Sequence, residues 1–309
     1  MKKQIITVVG SFAVGMTMRT SRMPIFGETL IGSDFDMGPG GKGSNQAVGV
    51  ARLGAESFIV GIIGDDKLGE IATDLYRQEG VNTRYLKKTQ QMSTGVGFII
   101  LDQGGRNGII LDMAANKLMD EAFVNLAETQ IASSKVVMAV LEIPTAAAGQ
   151  AMALGRKHGV LTILNPAPAT LLSEEIIRNV DVITPNETEL RILMGLAPDD
   201  STPTSELAHL LKARGAKNIL VTMGEKGSLV LTETSEVFVP AVSVDVVDTT
   251  GAGDSYNSGL AIALAEGKDI VTAAKFAACS GALACTRLGV IPGLPTRTTV
   301  EDLYQKTFA

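Results

Sequence analysis

The sequence predicts an α/β chain: a doubly wound, mostly parallel sheet with helices on both faces, plus a small β lid. Three observations lead there. Apolar β-branched runs recur along the chain, each is followed by a segment of helical spacing, and two stretches break the alternation. With 309 residues, 45% of them apolar, the chain is long enough to bury one large core.

Taken in order, Ile5 to Val9 is the first strand, and Ser44 to Leu53 is a helix with Ala47, Val48 and Ala51 on one face and Gly54 as its stop. Ser57 to Ile63 returns as a strand, and Leu68, Ile71 and Leu75 ahead of Gly80 mark the next helix. The pattern continues through Val136 to Leu141, Ala146 to His158, Leu161 to Leu164, Val180 to Thr184, Glu187 to Leu193, Leu207 to Ala213 and Ile219 to Met223. Val242 to Val247 reads as a strand, and Gly253 to Glu266 and Val271 to Thr286 as the last helices. The interruptions, about 12–37 and 92–113, contain short alternating runs around Gly104-Gly105, which predicts a β lid apart from the main sheet. No linker or repeat divides the chain, so 1–309 is expected to be a single domain.

Composition narrows the function classes. Lys and Arg total 27 against 33 Asp and Glu, for a formal charge of −6, with no basic stripe, no tryptophan and few aromatics, which argues against a nucleic-acid partner. The opening apolar run is too short for a signal peptide and no stretch is long enough to cross a bilayer, so no membrane partner is expected. Cys279 and Cys285, both in an apolar helical stretch, fit a reducing compartment, and the expected location is the cytoplasm. His158 and His209 match no motif and read as solvated.

Two segments carry chemistry. Asp248-Thr249-Thr250-Gly251-Ala252-Gly253-Asp254 precedes an apolar helix. Glycines at such a turn let backbone N–H groups converge at a helix N-terminus, where the dipole favours anions. Asp254 in the first helical turn can then accept a hydroxyl proton while the amides of Gly251, Ala252 and Gly253 receive phosphoryl charge; the alternative is a carboxylate that only caps the helix. The second segment, Gly38-Pro39-Gly40-Gly41-Lys42-Gly43-Ser44-Asn45-Gln46, contains a literal G-x-G-x-x-G. Asp34 to Met37 is no buried strand, which excludes a dinucleotide fold, and Gly43 stands where a P-loop needs Ser or Thr. What remains is a turn that lets backbone, Lys42 and Asn45 approach a polar ligand, with Lys42 as a merely solvated charge the alternative.

Together the two segments resemble those of the ribokinase (PfkB) family of sugar kinases, over about Ile5 to Leu294. Asn186-Glu187-Thr188-Glu189 resembles the family's N-x-x-E motif, and Thr222 to Gly227 its nucleotide-contacting turn. The resemblance implies ATP-dependent phosphorylation of a hydroxyl, with Asp254 as the base and Gly251, Ala252 and Gly253 as the anion hole. It places Gly41, Lys42, Asn45 and Glu142 at the acceptor sugar and Asn186, Thr222, Gly224 and Gly227 at the nucleotide. Asn186 and Glu189 would organise Mg²⁺, partly through water, and a capping box is a compatible reading of that pair. Asp248, Thr250 and backbone from Cys285 to Gly293 would hold a monovalent cation such as K⁺, and a homodimer through the lid is implied.

One departure bears on the substrate. The family places G-S-x-N-x-D after the first strand, and its aspartate grips two sugar hydroxyls; here Ala13 and Gly15 occupy the polar positions. Charge-assisted hydrogen bonds contribute roughly 1.5–3 kcal/mol each, so losing two weakens ribose binding on the order of a hundredfold or more. Free ribose is therefore disfavoured. Met16, Met18 and Met23 nearby either adapt to a less polar acceptor or pack the lid or a dimer contact. A nucleoside kinase of the same fold and a catalytically silent metabolite-binding regulator remain as alternatives.

Overall fold

The computed structural model describes residues 3–102, 104 and 106–308, so Gly105 of the expected Gly104-Gly105 turn lies outside the described residues. Strands β1 (Ile5–Val9), β4 (Glu56–Gly64), β5 (Asn82–Thr89), β8 (Val136–Val140), β9 (Leu161–Asn165), β10 (Val182–Ile183), β11 (Asn218–Thr222), β12 (Ser228–Leu231) and β13 (Glu236–Val239) form one sheet, in the order β13-β12-β11-β10-β9-β8-β1-β4-β5. From β5 to β11 every neighbouring pair is parallel, and β12 and β13 add antiparallel strands at one edge. Strand residues alternate between two apolar layers, as a sheet covered on both faces requires. Val136, Met138 and Ile163 face one core, whereas Val137, Ala139 and Leu164 face the other.

The first core is closed by α1 (Lys42–Arg52), α2 (Lys67–Glu79), α9 (Ala252–Ala265), α10 (Ile270–Ala284) and α12 (Arg297–Phe308), with α11 (Val290–Gly293) at its rim. The second is closed by α3 (Glu121–Asn125), α4 (Glu128–Ser133), α5 (Thr145–Lys157), α6 (Glu174–Arg178), α7 (Glu187–Leu193) and α8 (Thr204–Ala213). Strand order reverses between β1 and β8, and a crevice is expected beyond the carboxyl ends of strands at such a switch point.

A separate four-stranded sheet contains β2 (Ala13–Thr20), β3 (Ser33–Gly40), β6 (Gly95–Asp102) and β7 (Asn107–Asp112), in the order β3-β2-β6-β7. Here β2 and β6 are parallel and the outer pairs antiparallel. Phe12 and Val14 are buried in the first core, so β1 and β2 tie the two sheets together.

Three differences from the sequence-based expectation have physical causes. Val242 to Val247 forms no strand: Val246 and Val247 are exposed, and the amides of Val247 and Asp248 both donate to the Cys285 carbonyl in place of a ladder. Val180 to Thr184 contributes only the two residues of β10. The unforeseen β5 carries Arg84, Lys87 and Lys88, charges that suit a sheet edge and break the apolar pattern.

Helix α1 begins where two backbones nearly touch. A Cβ on Gly43 would lie 2.6 Å from the Gly10 carbonyl carbon, so no side chain fits between the end of β1 and the start of α1. Gly43→Ala should destabilise by about 1–3 kcal/mol and lower Tm by several degrees in thermal unfolding. An unchanged Tm would show that this approach is not tight.

Candidate active site

At the switch point a hydrogen bond joins the two loops that leave β1 and β8. Ser11 Oγ donates to Glu142 Oε2 at 2.6 Å, and the Lys42 backbone N–H donates to the same oxygen at 2.8 Å. Glu142 is buried, and burial pushes its carboxyl above the ordinary value against the pull of Ser11 and Lys42. Burial also works against the Lys42 ammonium, but the charges of Asp254, Glu142 and Glu189 outweigh it and hold its pKa above the ordinary value. Lys42 thus feels the charge of three carboxylates from distant parts of the chain.

Asp254 lies in the first turn of α9 and is only 5% exposed. Its position follows from how closely α9 packs on its neighbours: a Cβ on Gly49 of α1 would collide with Ser258, and one on Gly259 would press on Ala277 and Ser280 of α10. The start of α1 thus faces the carboxylate. Asn45 Nδ2 donates to Asp254 Oδ2 at 2.8 Å, and Gln46 Nε2 donates to Oδ1 at 3.1 Å. A circuit of buried side chains supports this clamp. Gln46 Nε2 also donates to Asn165 Oδ1, Asn165 Nδ2 to the Thr184 carbonyl, Thr184 Oγ1 to Asn257 Oδ1, and Asn257 Nδ2 to the carbonyl of Gly253. Gln46, Asn165, Thr184 and Asn257 were not among the sequence candidates. A polar residue ending a buried strand, as Asn165 does, is the signal that points to it.

The turn before α9 is open on the side where a ligand would approach. Gly251 takes φ +82° as the N-cap, Gly253 is exposed, and a Cβ on Gly253 would meet nothing within 4 Å. One of the three expected anion-hole amides is engaged, since Ala252 N donates to the Thr249 carbonyl at 3.2 Å. Asp248 fixes the turn: Oδ1 accepts from Thr250 N at 2.9 Å and Oδ2 from Gly289 N at 2.9 Å. Partial burial raises the Asp248 pKa, but these hydrogen bonds prevail and hold it below the ordinary carboxylate value. The Cys285 carbonyl already accepts from two amides, so a cation beside Asp248 would draw on other oxygens of this loop.

Asn186 and Glu189 form the capping box of α7: Asn186 Oδ1 accepts from Glu189 N, and Glu189 Oε2 accepts from Asn186 N, both at 2.8 Å. Glu189 Oε1 is left free of that box. No group of three or more His, Cys, Asp or Glu residues suited to a metal ion occurs among the described residues. The one Glu189 carboxylate oxygen outside the box is a hard oxygen donor of the kind that, with water and phosphate oxygens, suits Mg²⁺. Thr222 bridges Asn186 in parallel fashion and its N–H donates to the Pro185 carbonyl at 3.0 Å. Gly224 and Gly227 follow in a tight turn with φ of +56° and +106°. Asn186, Thr222 and this turn thus lie together beyond β10 and β11, while Gly41, Lys42, Asn45 and Glu142 gather beyond β1 and β8.

The raised Glu142 pKa has a measurable sign. The folded chain keeps a proton there that the unfolded chain releases, so stability is lost as pH rises from the ordinary value of 4.5 through the raised one. Glu142→Gln removes that loss. The Tm of the variant relative to the unsubstituted protein should therefore climb across this pH window, and a difference that falls with pH would contradict the burial of an ionisable carboxyl.

Comparison with known proteins agrees with this geometry. Residues 3–297 match the sequence profile described as pfkB family carbohydrate kinase. The ribokinase of Haemophilus influenzae is 35% identical over 302 residues, covering 97% of this chain and 99% of the relative. The deoxyribokinase of Salmonella typhimurium is 35% identical over 292 residues, covering 94% and 95%. Among solved structures, an Arabidopsis thaliana ribokinase complexed with ribose and ATP superposes with a TM-score of 0.91 at 29% identity, covering 100% of both chains. Profile, full-length identity and superposition agree: the chain belongs to the pfkB family of carbohydrate kinases.

Proposed function

We propose that the protein transfers the γ-phosphoryl group of ATP to a hydroxyl, most simply a primary one, of a small sugar or sugar derivative. The observation that carries this reading is the clamped Asp254 carboxylate beside an open glycine turn at the head of α9. Both carboxylate oxygens receive amide hydrogens, which orients the group. The acceptor hydroxyl gives its proton to Asp254 as its oxygen bonds to the γ-phosphorus. The bond from that phosphorus to the β,γ-bridging oxygen breaks, and ADP departs. Amides at the start of α9, with Gly253 the most accessible, receive phosphoryl charge, and the Lys42 ammonium adds positive potential. Mg²⁺ bound near Glu189 would neutralise charge on the phosphates, and K⁺ near Asp248 and Thr250 would support the turn. Asn186, Thr222, Gly224 and Gly227 take the nucleotide side, and Gly41, Lys42, Asn45 and Glu142 the acceptor side.

Retention of this machinery favours an enzyme over a silent binding protein. Asp254→Asn keeps the side-chain size and removes the proton acceptor; its NH₂ group faces a donor of the clamp unless Asn45 turns its unpartnered Oδ1 toward it. Its kcat should fall by roughly 10²–10⁴-fold with little change in acceptor KM, measured by coupled ADP release; turnover like that of the unsubstituted protein would remove the base assignment.

The small sheet serves, in this reading, as a lid that excludes water during transfer, and as a dimer contact. Met37, Met16, Phe98 and Ile110 form one row across its four strands, with Phe98 52% and Ile110 72% exposed. An exposed apolar row of this kind is commonly covered by a partner, here a second copy of the chain. Sedimentation should show a dimer at micromolar concentration and a monomer for Phe98→Glu, whereas a monomeric unsubstituted protein would exclude this contact. Among the described residues no helix is long and apolar enough to cross a membrane. The buried, unpaired Cys279 and Cys285 suit residence in the reducing cytoplasm.

A further inference from the structure

A buried carboxylate takes its direction from its partners, because the last torsion of an aspartate is broad and sets no plane of its own. Asp254 has one partner on each oxygen, and the two differ in kind. Asn45 holds Oδ2 through Nδ2 and keeps its own Oδ1 unpartnered. Gln46 is fully buried, and its Nε2 divides two N–H groups between Asp254 Oδ1 at 3.1 Å and Asn165 Oδ1 at 3.0 Å. Both donors of that side chain are spent on protein atoms.

The Gln46 amide has one workable orientation. Asp254 only accepts, and Asn165 must also present its oxygen to Gln46, because Asn165 Nδ2 donates to the Thr184 carbonyl at 3.2 Å. A reversed Gln46 amide would set its oxygen against two others. A backbone carbonyl just past β10 thus dictates, through two side-chain amides, that a donor meets the carboxylate. That carbonyl is itself held: Thr184 N donates to the Leu164 carbonyl at 3.0 Å, and Thr184 Oγ1 donates to Asn257 Oδ1 at 2.6 Å. Asn257 Nδ2 returns to the Gly253 carbonyl, so the series of bonds that leaves Asp254 closes on the residue before it. The backbone of Gln46 is tied to the same helix, its carbonyl accepting from Ser258 Oγ at 3.2 Å. Packing alone does not call for a glutamine here: Gln46 Oε1 is buried without a partner, a loss that a methionine of similar size would avoid. What the glutamine supplies is the pair of donors.

We infer that Gln46, backed by Asn165, is a positioning residue for phosphoryl transfer. It sets the rotation of the Asp254 carboxylate, and its loss lowers turnover without weakening the binding of ATP or acceptor. With Asn45 as its only tether, the carboxylate turns about Oδ2 and leaves its line to the acceptor hydroxyl. This inference rests on the kinase reading and adds to it the residues that aim the base.

The test is a cycle of variants assayed with ATP, Mg²⁺ and the fastest acceptor in a panel of pentoses, deoxypentoses, hexoses and nucleosides. Gln46→Met keeps the volume and removes the donors; its kcat should fall by about 10- to 100-fold, with both KM values within about threefold of the unsubstituted protein. In an Asp254→Ala background, where no carboxylate remains to be aimed, the same change should alter the residual kcat by less than about threefold. Asn165→Leu, which frees the Gln46 amide to reverse, should lower kcat by at least about threefold and only while Asp254 is present. An equal loss in both backgrounds, a raised KM in place of a lowered kcat, or turnover of both variants like that of the unsubstituted protein overturns the inference, while ATP consumption that depends on Asp254 upholds the kinase reading. Should one variant not fold, the other decides; should neither fold, the pair serves the core and the inference fails. No Asp254-dependent ATP consumption with any acceptor overturns both.

Discussion

The site depends on a pair of hydrogen bonds from the start of α1 to the start of α9, Asn45 and Gln46 to the two oxygens of Asp254. A buried carboxylate is costly unless each oxygen is partnered, and these amides meet that demand while fixing where the carboxylate points. The clamp closes only if the two helices pack closely enough for the Ser258 side chain of α9 to lie against Gly49 of α1. Gly43 against Gly10, Gly49 against Ser258 and Gly259 against Ala277 and Ser280 are the contacts that bring them there. Gly43, Gly49 and Gly259 are thus part of the geometry around Asp254.

The circuit through Gln46, Asn165, Thr184 and Asn257 joins the start of α1 to the strand ends beside Asn186 and to the start of α9. Thr184 lies two residues before Asn186, and its hydroxyl leads back through Asn257 to Gly253 in the turn that opens α9. Electrostatics joins the same parts by another route, because Lys42 is held charged by Glu142, Asp254 and Glu189 together. A shift of either half of the cleft would be felt at the carboxylate between them.

Much of this was legible in the sequence where side-chain type and local spacing carry the information. The alternation of strand and helix, the turn from Asp248 to Asp254 and the capping box at Asn186 and Glu189 depend on near neighbours in the chain. What was misread depends on distant partners. Val242 to Val247 has the composition of a strand but no strand to pair with, and its end is held instead by Cys285. Gln46 and Asn165 are 119 residues apart and show their role only when hydrogen bonded.

The central claim is that Asp254 stands between the acceptor hydroxyl and the open turn at the head of α9. The most direct measurement is a crystal structure of the protein with a slowly reacting ATP analogue and an accepted substrate. The account predicts one substrate hydroxyl within about 2.6–3.2 Å of an Asp254 carboxylate oxygen, in line with the terminal phosphorus, whose oxygens meet the amides around Gly253. A terminal phosphate bound away from that turn, or a hydroxyl out of reach of Asp254, would contradict it.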